Sequence, residues 1–165
     1  MIKFLKELIP YLIIVVVVVL IRTFLVTPVF VVGDSMVPTL KDKQVLLLDK
    51  FKYRFSDIER FDIVVIKVGK KEIIKRVIGL PGEYVEYKDN KLYINGKVLE
   101  NDFDFDTIDF AMSEICIEEK IPYNKYFVLG DNRLVSSDSR IIGLIDKKDI
   151  LGKAGFSIWP IKTIK

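Results

Sequence analysis

Histidine is absent from this 165-residue sequence, and cysteine occurs once, at Cys116. Without an imidazole there is no Ser-His-Asp or Cys-His machinery and no histidine-ligated metal site. With a single thiol there is no intrachain disulfide and no zinc-cysteine cluster, so the chain is not a disulfide-stapled secreted domain. Strong net charge is also missing. The sum is +3, and no basic run with interleaved aromatics marks a nucleic-acid surface. One local imbalance stands out, because the window 100–119 holds eight acidic side chains and no basic one. Internal repeats and low-complexity linkers are lacking too. The length fits one domain with one modest core.

What the chain has in excess is an apolar start. Residues 8–21 read LIPYLIIVVVVVLI, uncharged throughout, and Arg22 then precedes Thr23-Phe24-Leu25-Val26. A run of 14 is short for a span and also fits a signal-peptide core. The chain continues RTFLVTPVFVV, however, with no A-x-A-like cleavage pattern. If Arg22 snorkels to the interface, Phe4 through Val26 counts as a span of ~20 residues or more. Lys3 and Lys6 ahead of the run put the N-terminus in the cytoplasm. Valine is β-prone in water, but lipid enforces helix because every backbone group must be satisfied internally. The expectation is residues 1–27 as cytoplasmic tip and single-pass anchor, and 28–165 as a domain on the extracytoplasmic face of the cell membrane, resting on lipid.

The rest reads as strands. Val29–Val32, Gln44–Asp49, Asp62–Lys67 and Glu72–Ile78 are apolar runs of strand length. EYVEY, a turn at Asp89-Asn90, KLYI and the pair Asn95-Gly96 follow as a hairpin ladder. Tyr126–Leu129 and Gly155–Trp159 complete the set, and Asp146–Leu151 fits one helical turn. The acidic stretch around 100–120 has no sustained period and reads as an insertion or loop. The predicted fold class is mainly β, an antiparallel barrel or sandwich-like domain on one N-terminal transmembrane helix. Near the C-terminus, Phe156, Ile158 and Trp159 read either as core or, for Trp159, as an aromatic at headgroup level.

Three segments carry residue choices unusual for β-structure. In Gly33-Asp34-Ser35-Met36-Val37-Pro38, Ser35 follows a glycine turn and is either presented at a strand end or caps its own backbone. In EIIKRVI, alternation puts Ile73, Lys75 and Val77 on one face. Lys75 then either snorkels to water or loses it, and desolvation would lower its pKa toward a neutral amine. The segment GDNRLVSSDSR, 130–140, concentrates hydroxyls, carboxylates and guanidiniums and reads as a buried polar network or a surface turn.

Taken together, these segments resemble those of the bacterial type I signal peptidases. SMVPTL at 35–40 resembles that family's nucleophile box, KRVIGLPGE at 75–83 its lysine box, and GDNRLVSSDSR at 130–140 its third box, with GKAGFSIWP at 152–160 closing the chain. The resemblance implies Ser35 as nucleophile and Lys75 as general base, Ser136 orienting the lysine by a hydrogen bond, and Asp138 and Arg140 as a supporting ion pair. It also implies a mainly antiparallel β domain on the outer face of the membrane that removes signal peptides from exported preproteins. Some members place a serine two residues before the nucleophile, where it helps hold the oxyanion. Here that residue is Gly33, so the Ser35 N–H, with the Gly33 region or a water, would have to serve. A serine–lysine pair also accounts for the missing histidine, since a neutral amine can take the proton that Ser35 must lose, and such a pair needs no metal and no cofactor. The alternative function is a signal-peptidase-like assembly factor that binds pilin or surface-protein subunits without cutting them, and it requires Ser35 and Lys75 to be idle.

Overall fold

The computed structural model describes residues 2–99, 105–115, 117 and 119–164, with backbone alone for 2–6 and 21–24. Cys116, four acids of the acidic window (Glu100, Asp102, Asp104 and Glu118), and the side chains of Lys3, Lys6 and Arg22 lie outside what is described. The chain opens with helix α1, Ile2–Phe24. Its apolar side chains from Leu8 to Leu20 are all exposed. Among the described residues no helix is long and apolar enough to cross a membrane.

Strands follow as β1 (Val26–Phe30) and β2 (Val45–Asp49), the short helix α2 (Lys52–Phe55), then β3 (Ile63–Val68) and β4 (Lys71–Gly79). Next are β5 (Val85–Lys88), β6 (Lys91–Ile94), β7 (Lys97–Val98), β8 (Phe110–Ala111) and α3 (Met112–Ile115). The chain closes with β9 (Lys125–Leu129), α4 (Ser139–Ile142), β10 (Ile145–Asp146), a 3-10 turn at Lys147–Asp149, β11 (Ile150–Trp159) and β12 (Lys162–Thr163).

The larger sheet runs β1-β2-β11-β3-β4-β9-β10 with β12 on β11, and the smaller runs β7-β6-β5-β8. Every pairing is antiparallel. The mainly β expectation holds, but the barrel does not: among the described residues no ladder joins β1 to β10. Pro28, central in β1, has no N–H to give a second neighbour and suits an edge strand. The hairpin turns form where expected, with positive φ at Asp89, Asn90, Asn95 and Gly96.

Packed against the two sheets are three apolar clusters. One gathers Met36, Leu40, Leu46, Leu48, Ile63 and Val65; a second gathers Ile78, Val85, Tyr87, Met112 and Phe127. The third includes Val64, Ile66, Val77 and Val128. The described part of the acidic stretch is more than a loop. Phe110 pairs with Tyr87 across β8 and β5, and Met112 is buried, so apolar residues among the acids tie the segment to the smaller sheet. The core reading of the C-terminal run fails. Phe156, Ile158 and Trp159 are all exposed, and the residue buried there is Ser157. Register shifts of β11 against β2 at Ala154/Phe156 and Ser157/Trp159 break simple alternation.

Candidate active site

Ser35 and Lys75 are forty positions apart in sequence, and two local devices bring them together. The loop between β1 and β2 is closed at its base by Val31 N–H donating to Gln44 O and Lys43 N–H donating to Val31 O. Its tip folds back as a turn, Val37 N–H to Asp34 O, and Met36 and Leu40 sink fully into the first cluster. Ser35 is held half-buried beside these anchors. Gly33, at φ +83°, starts the turn in a conformation that a side chain would strain. Lys75 lies in the middle of β4, locked between β3 and β9 through Val64↔Lys75 and Arg76↔Leu129.

A pair of adjacent residues after β9 then clamps strand to turn. Asp131 takes a two-pronged ion pair from Arg76, with Nε to Oδ1 at 2.8 Å and Nη2 to Oδ2 at 2.7 Å, both side chains fully buried. Asn132 donates its N–H to Ser35 O at 3.0 Å and its side-chain amide to Asp34 O at 3.2 Å. Gly130 precedes them because nothing larger fits. A Cβ there would overlap Ser136 Oγ and lie 2.5 Å from the Ser35 carbonyl oxygen.

The outcome is a separation of 2.7 Å between Lys75 Nζ and Ser35 Oγ. Lys75 is only 3% exposed. Burial pushes its pKa below the ordinary 10.5, the dominant effect; Asp138 and Asp131 pull it up and Arg140 pushes it down. The unfolded chain therefore binds this proton more tightly. Stability carries a full penalty below the depressed folded value, which shrinks with rising pH and vanishes above the ordinary one.

The other residues singled out from sequence fall around this pair. Asp138 and Arg140 form the expected ion pair, Nε to Oδ1 and Nη2 to Oδ2 both at 2.9 Å. Asp138 also accepts from Gly130 N–H, and Arg140 reaches Arg133 O, so the pair braces the loop that carries Gly130. Ser136 is buried behind Gly130, but its Oγ has no hydrogen-bond partner, Lys75 included, among the described residues. The Gly33 N–H donates to Asp42 Oδ1 at 2.9 Å, so it is not a free second donor for an oxyanion.

Ser35 and Lys75 help line a groove of about 790 Å³, together with 27–32 of β1 and its extension and Glu72, Ile73 and Ile74 of β4. Among the described residues no cluster of His, Cys, Asp and Glu is arranged to hold a metal ion.

The sequence profile of the family described as signal peptidase, peptidase S26, matches residues 2–159. The chain belongs to that family. It is 40% identical over 164 residues to signal peptidase I of Bacillus caldolyticus, covering 93% of this chain and 90% of the relative. It is 46% identical over 131 residues to signal peptidase I V of Bacillus subtilis, covering 73% and 78%. A crystal structure of a signal peptidase I from Enterococcus faecalis superposes with a TM-score of 0.53 at 36% identity, covering 59% of this chain and 97% of that one. The family makes the chain a serine-type peptidase.

Sequence reading of this family member missed the clamp. Arg76, Asp131, Asn132 and Gly130 all lie inside the segments it singled out, but only the fold shows which of them touch. Asp42 carried no signal at all, being one charged residue in the Lys41-Asp42-Lys43 turn.

Proposed function

We propose that this protein is a membrane-anchored serine endopeptidase that removes N-terminal signal peptides from exported preproteins, with Ser35 as nucleophile and Lys75, in its neutral form, as general base. The observation that carries the reading is the 2.7 Å approach of Nζ to Oγ with the lysine buried. At that distance the Ser35 hydroxyl donates to a neutral amine, and no imidazole is needed.

Proton flow follows from the pair. Oγ attacks the scissile carbonyl as its proton passes to Nζ, and the negative oxygen of the tetrahedral intermediate lies against the Ser35 N–H, for which no acceptor is found among the described residues. The Lys75 ammonium next protonates the leaving peptide nitrogen, and the mature chain departs. A water gives its proton to the regenerated amine and attacks the ester. Ser35 recovers its hydrogen as the signal peptide leaves with a new carboxylate. Ser136 would serve by turning its hydroxyl toward Nζ, with Asp138 and Arg140 holding the loop behind it. Gly33 keeps the turn open.

The anchor reading is supported by the uncharged, exposed face of α1 from Leu8 to Leu20 and by exposed Trp159 and Ile161, which would place the 28–165 domain against lipid on the extracytoplasmic side. No feature of the site favours the non-cutting assembly factor. The deciding experiment is cleavage of a purified preprotein by the full-length chain, wild type and Ser35→Ala, with N-terminal sequencing of the product. Ser35→Ala keeps its thermal transition and shows no cleavage above background; cleavage by that variant overturns the assignment.

A further inference from the structure

A second, smaller cavity of about 290 Å³ lies on the other flank of the nucleophile turn, walled by Val37, Pro38, Phe105, Asp106, Asn132 and Arg133. It shares no wall residue with the groove, and the strip between them is the turn itself. Val37 follows Ser35 by two positions, and Asn132 is hydrogen-bonded to the Ser35 carbonyl.

The rear of this cavity is built with care. Arg133 is 3% exposed, donates from Nε to Gly130 O at 3.1 Å and from Nη1 to Thr107 Oγ1 at 2.6 Å, and lies between the rings of Tyr87 and Phe105 at 4.8 and 5.4 Å. Its Nη2 is buried with no acceptor among the described residues. Arg133 is thus a fixed part of the wall and not a contact for a ligand. At the rim, Asp106 is exposed.

When Ser35 Oγ attacks the scissile carbonyl of a peptide whose signal portion fills the groove, the leaving nitrogen begins the mature chain, and that chain must run on past the turn. Three extended residues reach ~10 Å. Resting on the endopeptidase reading above, we infer that this cavity receives a side chain from the first three residues of the mature protein, with the exposed Asp106 carboxylate at its rim favouring a cation. Phe105 and Asp106 then supply part of the lining of a subsite on the leaving-group side.

The test uses the full-length chain and preproteins identical except for Lys or Glu at the first, second or third mature position, and reads the Lys-to-Glu ratio of kcat/KM. An exposed carboxylate facing such a charge gives a ratio of about two- to fivefold at one of the three positions. Asp106→Asn brings it toward one and Asp106→Lys inverts it. Asp109→Lys, three residues on and held to Asp89 N–H outside the cavity, leaves the preference for Lys in place. A ratio near one at all three positions in the wild type, or an equal shift from Asp109→Lys, overturns the inference. A wild-type chain that cleaves none of the substrates overturns the endopeptidase reading, and this one with it.

Discussion

Gly130→Ala asks whether the loop after β9 holds the nucleophile in place. The added Cβ would overlap Ser136 Oγ and lie 2.5 Å from the Ser35 carbonyl oxygen and 2.6 Å from Ser136 Cβ. Restoring ordinary van der Waals contact requires those groups to retreat by about 1 Å, and they are fixed by the Asn132–Ser35 hydrogen bond on one side and by the core on the other. Overpacking of this kind costs ~1–3 kcal/mol, which lowers Tm by about 3–10 °C for a chain of this length. The effect on rate is larger in proportion, because a 1 Å displacement of a reacting group costs ~10² in kcat/KM. Gly155→Ala is the matched comparison. The nearest atom to its added Cβ is Lys153 Cε at 4.0 Å, so its stability stays within about 0.5 kcal/mol of wild type. The assay is preprotein cleavage at a temperature well below both transitions, beside thermal unfolding of each variant. Wild-type kcat/KM in Gly130→Ala would refute the argument that this loop positions Ser35.

Asp131→Asn strips the charge from a fully buried pair and leaves the Arg76 guanidinium without its carboxylate. A loss of ~3–5 kcal/mol in denaturant unfolding is expected, and a loss under 1 kcal/mol would show that the ion pair is not the clamp. Trp159, at 72% exposed, should blue-shift its fluorescence when the full-length chain moves from detergent into anionic liposomes. An unchanged spectrum would remove Trp159 from the membrane contact.

Strand positions in this chain were legible because the apolar runs are short, bounded by Gly, Pro, Asn and Asp, and long enough to name a strand without naming its neighbours. Pairing order was less so. Nothing in Gly155–Trp159 shows that β11 begins five residues earlier and inserts between β2 and β3, a contact made across most of the sequence. The exposure of Phe156, Ile158 and Trp159 was also hidden, since register shifts in β11 reset which side chains face inward. At the site, residue type left Ser35 either presented or capping its own turn and Lys75 either snorkelling or desolvated, and only the three segments taken in order pointed to the pair. Asp131 and Asn132 could not be sorted from their polar neighbours, because their roles depend on which of two directions each side chain takes once Arg76 and the Ser35 carbonyl arrive. The acidic stretch misled for a related reason. Its charges dominate the composition, while Phe110 and Met112 do the packing.

The central claim is that a neutral Lys75 takes the Ser35 proton, and the pH dependence of kcat/KM tests it most directly. Burial holds the Lys75 pKa below 10.5, so activity should rise with pH along a single-proton limb whose midpoint lies below that value, as the ammonium loses its proton and becomes a base. Lys75→Arg keeps the charge but cannot deprotonate in this range, and it should be inactive at every pH where the protein is folded. Substantial activity in Lys75→Arg with the same acidic limb would mean that another group is the base, and the mechanism built on this pair would be wrong.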